Sequence, residues 1–245
     1  MNNLSRRKLI TTGLAATAGA SGLAVAARLA DQYGLIPPDH GGAYGVGTTL
    51  TYASQRLLTR HSLAREFSPG HISKPPFAKV RPFKNEAYDR LRAGGFADWR
   101  IEVDGMVARP GSFSLAEIRS FPSYNQITSL ACEEGWSFIA EWAGVRLSHI
   151  LSLAGTLPQA RYVVYFSIQR NWRESIDMAD ALHPQTLLVY GMNGGELPMG
   201  HGGPLRLRVP RQLGYKNVKY VNRLTVTDSL KPFAKKSSYA WYAGI

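Results

Sequence analysis

The sequence is poor in cysteine, and Cys132 is the only one among its 245 residues. No disulfide can therefore form within the chain, and a zinc site built from several closely spaced cysteines is excluded. A lone thiol most often packs as a small apolar side chain, but its thiolate form also binds soft or high-valent transition metals. The residue type alone leaves both interpretations open.

Acidic residues are scarce as well, because 17 Asp and Glu face 29 Lys and Arg, which gives a formal net charge of +12. Such an excess permits nucleic acid, an anionic membrane or an acidic ligand as a partner, and composition does not choose among them. Several signatures are missing from the sequence: a P-loop, a dinucleotide-binding glycine motif, a legible Ser-His-Asp arrangement and the Cys-x-x-Cys-His motif of attached haem.

One long apolar run covers residues 9–27 and is rich in alanine, glycine and leucine. It follows the pair Arg6-Arg7, which is the arrangement of a twin-arginine (Tat) export signal. A membrane anchor is the alternative, although the small residues make the run weakly hydrophobic. We interpret residues 1–30 as a Tat signal peptide cleaved near 18–20 or 24–26, and we expect a periplasmic protein that binds no nucleic acid.

The remaining chain divides into three parts. Residues 31–66 hold a linker with Pro37-Pro38 and, over 51–67, apolar residues at helical spacing. This spacing predicts an amphipathic helix packed on the outside of the domain, with a membrane-surface role as the alternative. Residues 67–231 form the main domain, and residues 232–245 form a C-terminal tail.

Apolar patterns and capping residues place the elements of the main domain. Strands are predicted over residues 99–105, 107–113, 127–131, 161–168, 187–190, 205–209 and 218–227. Ser114 and Glu117 have the spacing of a capping box that starts a short helix. Further helices are predicted around Leu147 and Ile150 and over residues 175–182. The pattern fits an α+β or a mostly β core.

The predicted strand over 127–131 delivers Cys132 to a polar turn, and the chain reads CEEGWS from Cys132 and WAGV from Trp142. This segment resembles the cysteine segment of the oxidoreductase molybdopterin-binding domain, which defines the sulfite oxidase superfamily. Within it, the chain is most similar to bacterial periplasmic proteins allied to the catalytic subunit of the periplasmic methionine sulfoxide reductase. The resemblance covers residues 67–231 and implies the family's α+β fold of mixed sheets and short helices.

A second pattern reads LPMGHGGPLRLRVP from Leu197 and LGYKNVK from Leu213. Glycines beside His201 let the backbone approach a ligand closely, and Arg206 can bind phosphate bidentately. The loop over 214–219 offers backbone amides and two lysines to an anion. Taken alone, this loop is better explained as a glycine-rich hairpin with a solvated basic rim. The order H-G-x-P-x-R, then G-Y-K-x-x-K, follows the cysteine as it does in the resembling family.

The resemblance implies a cofactor site. It makes Cys132 the catalytic residue and a ligand of molybdenum, beside the dithiolene of one molybdopterin. It assigns cofactor binding to six further residues: Ser167, His201, Arg206, Asn217, Val218 and Lys219. Relatives also contact the pterin from a preceding segment, often through an asparagine. Residues 77–82 contain none, so no contact before residue 99 is assigned.

The implied reaction is a two-electron oxygen-atom transfer. Sulfite oxidases bind the sulfite dianion in an arginine-lined pocket, whereas Glu133 and Glu134 follow the thiol here and would repel it. We therefore expect reduction of a small-molecule or peptide-bound S-oxide or N-oxide. Sulfite dehydrogenase-type oxidation and a metal-free periplasmic binding protein on the same fold are the alternatives. Without a haem motif, electrons must come from a separate partner, for which a membrane haem protein is the candidate.

Other side chains near the thiol have less specific roles. Glu133 and Glu134 would point to opposite faces if they lay on a strand. Trp136 and Trp142 are more typical of a core than of a substrate-stacking site. A proton donor near the metal is expected among the tyrosines, but spacing does not select one from Tyr165, Tyr190 and Tyr215.

Overall fold

A computed structural model describes residues 46–59, 61–78 and 84–233, together with Gly22, Ala24 and Val25. Apart from those three residues, the predicted signal peptide lies outside the described residues, as do most of the predicted linker and most of the predicted tail. The chain divides into two compact units, Met1–Arg60 and His61–Ile245. Within the described ranges, no helix combines the length and the apolarity that crossing a membrane requires.

The described part of the first unit is helix α1, Val46–Thr59, on which Leu50, Leu57 and Leu58 are exposed. The predicted helix over residues 51–67 is therefore correct only as far as Thr59. Residues 61–67 belong to the second unit and are not helical. Here Phe67 donates its amide to the Ile127 carbonyl at 2.9 Å, so this segment satisfies its backbone by pairing with a strand.

The second unit contains ten strands and four short helices among the described residues. The strands are β1 Arg100–Gly105, β2 Gly111–Ser114, β3 Ser123–Ala131, β4 Ser137–Arg146, β5 Tyr162–Ser167, β6 Arg173–Asp177, β7 Leu187–Met192, β8 Gly195–Glu196, β9 Arg206–Arg208 and β10 Val221–Thr227. The helices are α2 Glu86–Ala93, α3 Leu115–Ser120, α4 Leu147–Ala154 and α5 Met178–Ala181. Single 3-10 turns cover Pro69–His71, Met199–His201, Gly214–Lys216 and Lys231–Phe233.

These strands form two sheets. The first has the order β2-β1-β10-β5-β6, with β1 and β10 parallel and the other pairs antiparallel. The second has the order β3-β4-β7-β8, with β9 also paired to β7, and all of its pairs are antiparallel. Mixed sheets with short helices confirm the predicted α+β class.

The interior consists of two clusters of buried apolar side chains. The larger one joins the first sheet to α3 and α4 and includes Ile101, Leu147 and Val163. The smaller one includes Leu130, Phe138 and Trp142 and lies on the second sheet, under the strand that carries the cysteine. Burial of a large apolar side chain contributes about 1.5–3 kcal/mol, so the smaller cluster fixes β3 and β4 firmly at the cysteine end.

The local signals with a defined hydrogen-bond pattern are confirmed. Ser114 accepts the amide of Glu117 at 3.2 Å, and the Glu117 carboxylate accepts the Ser114 amide at 2.7 Å, as a capping box requires. The predicted helix over 175–182 is wrong in its first half, because Ser175 and Ile176 pair with β5 and the helix begins only at Met178. The predicted last strand begins at Val221 rather than 218, since Tyr220 adopts a positive φ of 56°.

Candidate active site

A cavity of roughly 400 Å³ lies where the cysteine-bearing end of the second sheet meets three loops. Its lining residues come from the Cys132 turn, the β5–β6 turn, the His201 segment and the loop over residues 214–220. Residues 77–78 and 84–85 complete the wall. Distant parts of the sequence therefore meet around one thiol.

Strand pairing positions the thiol. Strands β3 and β4 pair along their whole length, from Ser123 with Val145 to Ala131 with Ser137. The turn that follows is closed by two bonds, from the Cys132 amide to the Trp136 carbonyl at 2.8 Å and from the Gly135 amide to the Cys132 carbonyl at 3.0 Å. Gly135 takes a φ of +87°, which favours glycine. Cys132 is thus held at the tip of a hairpin, half-buried and facing the cavity.

The surroundings of the thiol are acidic. Cys132 Sγ lies 3.3 Å from Glu133 Oε2, and the thiol donates to this carboxylate. Burial raises the pKa of the thiol, the amide of Glu134 opposes this rise, and the Glu133 carboxylate adds to it. Glu133 and Glu134 both line the cavity. The strand argument that would separate them does not apply, because they lie in a turn.

His201 ends the 3-10 turn Met199–His201 and reaches the cavity. Its ring packs edge-on against Phe138 at 5.4 Å between centroids, and within the described residues neither ring nitrogen has a hydrogen-bond partner. Burial lowers the pKa of His201 to about 4, with Arg206 and Lys219 as smaller causes. The imidazole is therefore neutral at pH 7 and presents one donor and one acceptor to a ligand.

Arg206 joins the two loops behind the cavity. It is 2% exposed, and it donates from Nη1 to the His201 carbonyl at 2.7 Å and from Nη2 to the Asn217 carbonyl at 2.8 Å. Its Nε has no partner in the described part of the chain. Burial lowers the pKa of Arg206 to about 10, so the group stays charged at pH 7 with donor capacity left for a ligand.

Arg208 and Asn217 form a structural connection beside it. Arg208 donates to the Asn217 side-chain carbonyl at 2.7 Å and to the Ser129 backbone carbonyl at 2.5 Å, which ties strand β3 to the loop. The side-chain carbonyl of Asn217 also accepts the Val209 amide, and its NH₂ donates to the carbonyls of residues 212 and 213. The Asn217 side chain is thus saturated by protein, and only the remainder of the residue can face a cofactor.

Two guanidinium groups at the site are buried without a matching carboxylate among the described residues. Arg206 and Arg208 both pack against Trp142, at 5.1 and 5.3 Å from its ring, and neither has a carboxylate partner among the described residues. Burial, reinforced by Arg206, lowers the pKa of Lys219 to about 7. An uncompensated buried cation is costly. A large anionic ligand in the cavity would compensate these groups, and the phosphate-bearing molybdenum cofactor is of this kind.

Six of the seven predicted site residues line this cavity, and Ser167 does not. The Ser167 hydroxyl accepts the Gln169 amide at 3.1 Å, inside the β5–β6 turn. Of the two lysines predicted for the anion cradle, Lys216 instead lies in the core, where it pairs with Glu174 at 3.1 Å. Sequence spacing does not show that this ammonium group is buried, and for that reason it placed Lys216 in the anion cradle.

Several lining residues were not predicted. Residues 77–82 contain no asparagine, but Asn85 lies on the cavity wall. It is the N-cap residue of α2 and accepts the Tyr88 amide at 3.0 Å. This cap position is the sequence signal that could have identified it. Trp136 lines the cavity rather than the core, whereas Trp142 is fully buried as predicted. Among the three candidate tyrosines only Tyr215 lines the cavity, and Tyr220 joins it.

Comparison with known proteins gives the site its family. Residues 90–233 match the family described as oxidoreductase molybdopterin binding domain. The chain belongs to this family. Its cofactor is therefore molybdenum-molybdopterin, the protein is an oxidoreductase, and the recognition made from the cysteine segment is confirmed.

Individual relatives agree with the family assignment. The chain is 39% identical over 184 residues to a protein of Azospira oryzae provisionally named protein-methionine-sulfoxide reductase subunit YedZ1, a match that covers 73% of this chain and 70% of the relative. It is 32% identical over 166 residues to the catalytic subunit MsrP of a protein-methionine-sulfoxide reductase from Xanthomonas axonopodis, covering 60% of this chain and 52% of that one. The chain thus spans about half the length of that relative.

A solved structure shares the fold of this family member. The sulfane dehydrogenase SoxCD from Paracoccus pantotrophus superposes with a TM-score of 0.56 at 22% identity, over 69% of this chain and 46% of that chain. At this identity the likeness concerns the fold alone. It confirms the predicted sulfite-oxidase-type architecture.

Proposed function

We propose that this protein reduces S-oxides, with protein-bound methionine sulfoxide as the leading substrate, in a two-electron oxygen-atom transfer supplied by the molybdenum cofactor that Cys132 would ligate. The observation that carries the proposal is the pair of carboxylates beside the thiol in a cavity whose deeper wall is cationic. The relatives named for protein-methionine-sulfoxide reduction support the same substrate. Two electrons and two protons convert the sulfoxide to a thioether and water.

Each residue of the site has a role that follows from its position. When bound, the molybdenum cofactor supplies the oxygen-atom transfer chemistry. Cys132 provides the sulfur ligand for the metal, and its hairpin fixes where that ligand points. Arg206, Lys219 and neutral His201 hold the anionic part of the cofactor, and Val218 and the backbone of Asn217 shape the loop beside it. Asn217 contributes through loop geometry, because its side chain is already bonded.

The acidic turn selects against oxyanions. Two unit charges 4 Å apart interact by about 4 kcal/mol at an effective dielectric constant near 20. A sulfite dianion approaching Cys132 meets Glu133 and Glu134 at short range, whereas a neutral sulfoxide does not have to overcome this repulsion. The direction of the reaction is therefore reduction of a neutral oxide rather than oxidation of sulfite.

The proposal includes the cellular context. The relatives are named as subunits, and the sequence contains no haem attachment motif, which supports a separate electron donor, namely a membrane haem protein. The twin-arginine pattern at Arg6 and Arg7 supports export of the folded, cofactor-loaded protein to the periplasm.

The test compares both directions on the purified holoenzyme. With a reduced viologen dye as electron donor, the wild type is expected to reduce a peptide that contains methionine sulfoxide, and with ferricyanide as acceptor it is expected to leave sulfite unoxidised. Glu134→Gln is expected to increase sulfite binding, and Glu102→Gln, which changes an exposed side chain of β1 outside the cavity lining, serves as its control. Sulfite turnover that exceeds sulfoxide turnover in the wild type would contradict the proposal.

A further inference from the structure

An aromatic row forms one wall of the cavity beside the thiol. Phe77, Trp136 and Phe138 follow one another along it, with ring centroids 4.7 Å apart for the first pair and 6.2 Å for the second. The row runs from solvent to the interior, since Phe77 is 50% exposed, Trp136 is half-buried and Phe138 is buried. Phe77 therefore keeps apolar surface in water at the mouth of a site, where a ligand can cover it.

Two hydrogen bonds fix Trp136 in the same turn as Cys132. The Trp136 carbonyl accepts the Cys132 amide at 2.8 Å, and the indole N–H donates to Glu134 at 3.0 Å. Because the indole N–H is bonded to Glu134, the ring presents its apolar surface to the cavity that it lines. A substrate in the part of the cavity beside Cys132 thus has an aromatic surface available to it.

The row continues inward to a different environment. Phe138 packs on His201 and on Trp142, and Trp142 lies against the buried Arg206. The deep end is therefore polar and cationic, suited to the cofactor, and the rings of Phe77 and Trp136 give the outer end an apolar wall. This gradient separates a cofactor portion of the cavity from a substrate portion.

We propose that Phe77 and Trp136 form the subsite for the carbon arms of the sulfoxide, and that Phe77 determines the preference for substrates with a long apolar arm. This inference rests on the proposed sulfoxide reduction and adds the residues that select the substrate. In a sulfoxide the oxygen carries the polarity and the arms are apolar. Aromatic rings bind such arms by burying their apolar surface, and they also make favourable contacts with sulfur.

The test uses two substrates that differ in their arms. Dimethyl sulfoxide has two methyl arms, and a short peptide with methionine sulfoxide has one long arm. In the holoenzyme, Phe77→Ala is expected to lower the peptide to dimethyl sulfoxide ratio of kcat/KM about tenfold, mainly through KM. Phe77→Leu keeps apolar area without the ring. Its peptide to dimethyl sulfoxide ratio of kcat/KM is expected to lie between those of the wild type and Phe77→Ala. The control is Leu153→Ala, which removes a similarly exposed apolar side chain on α4, 38% exposed and outside the cavity, and leaves the ratio unchanged.

A binding measurement separates this inference from the proposed function. Calorimetric titration of the oxidised holoenzyme with the sulfoxide peptide, without an electron donor, gives the Kd in the absence of turnover. Weaker binding in Phe77→Ala supports the subsite even if no sulfoxide is reduced, in which case the proposed function alone fails. Turnover of the peptide with a substrate ratio and a Kd within twofold of wild type in Phe77→Ala would overturn the subsite and leave the function standing. Equal losses on both substrates, with normal molybdenum content, would also overturn it.

Discussion

Arg206 and Arg208 lie two positions apart on β9 and point to the same side, so both guanidinium groups pack against Trp142. Each is buried, and burial lowers the pKa of Arg206 to about 10 and that of Arg208 well below its ordinary value. Adjacent buried cations are unfavourable unless something negative compensates them. The two guanidinium groups donate hydrogen bonds to the backbone carbonyls of residues 129, 201 and 217. Their positive charge has no carboxylate partner among the described residues, which favours an anionic cofactor.

His201 gives a prediction for pH dependence. Its pKa is lowered from 6.5 to about 4 by burial, so between these values the unfolded chain binds more protons than the folded one. The contribution of His201 to stability is then fully present above pH 6.5 and is lost as the pH falls towards 4. Urea unfolding of cofactor-free protein from pH 4 to 7 measures this slope.

The variants of this experiment isolate the single histidine. His201→Asn, which does not titrate, is expected to show a shallower fall of the free energy of unfolding below pH 6.5. His61→Asn changes an exposed histidine outside the cavity and is expected to keep the wild-type slope. An unchanged slope in His201→Asn would show that burial of this imidazole does not govern acid stability.

Sequence motifs identified the site residues that lie in recognisable local patterns. Cys132 and His201 lie in recognisable segments, and Arg206 and Lys219 follow at fixed spacing, so motif order predicted that they share one cavity. Ser167 was assigned by the resemblance to the family, and the sequence does not tell which way a residue at the end of a strand faces. Lys216 and Asn85 depend on tertiary partners, Glu174 and Ile168, that are far away in sequence.

At the scale of elements, the site is built from chain reversals. The β3–β4 turn presents Cys132, and the 3-10 turn Met199–His201 presents His201. Gly202 follows that turn with a φ of +105° and touches the Lys219 segment so closely that a Cβ would lie 2.7 Å from the Lys219 Cβ. The two cofactor loops therefore pack against each other at a glycine.

A pair of glycine substitutions tests this packing. Gly194 also has a positive φ, +77°, but a Cβ there would meet nothing within 4 Å. Gly194→Ala is expected to cost about 1–2 kcal/mol from backbone strain alone. Gly202→Ala adds a collision with Lys219 and is expected to cost about 1–3 kcal/mol more and to lower the pterin content of the purified protein. Equal losses of stability and full pterin content in both variants would contradict the close packing of these loops.

Helices and strands could be predicted where the sequence signal comes from neighbouring residues. The capping box at Ser114 and the strand into Cys132 needed only neighbouring residues. Residues 175–177 were taken for the start of a helix because their pattern is short and their strand character comes from pairing with β5. Residues 61–67 departed from the helical pattern for the same reason, since Glu66 pairs with Thr128 on β3.

At the scale of the molecule, one sheet carries the thiol and the other supports the loop that faces it. β5 and β10 of the first sheet lead into the β5–β6 turn and out of the loop over residues 214–220, while β3, β4 and β9 of the second sheet bear Cys132 and Arg206. A cofactor held by the residues that line this cavity would contact segments from both sheets. A ligand that binds only the folded state stabilises it, by about 2.7 kcal/mol at a hundredfold excess over its Kd.

The most direct measurement is the molybdenum and pterin content of the purified protein, wild type beside Cys132→Ser, from a host that makes the cofactor and exports through Tat. We predict near-stoichiometric molybdenum and releasable pterin in the wild type. In Cys132→Ser we predict retained pterin, since Arg206 and Lys219 remain, with an altered molybdenum signal and lost sulfoxide reduction. A well-folded wild type that carries neither molybdenum nor pterin would contradict the account and leave a binding protein on the same fold.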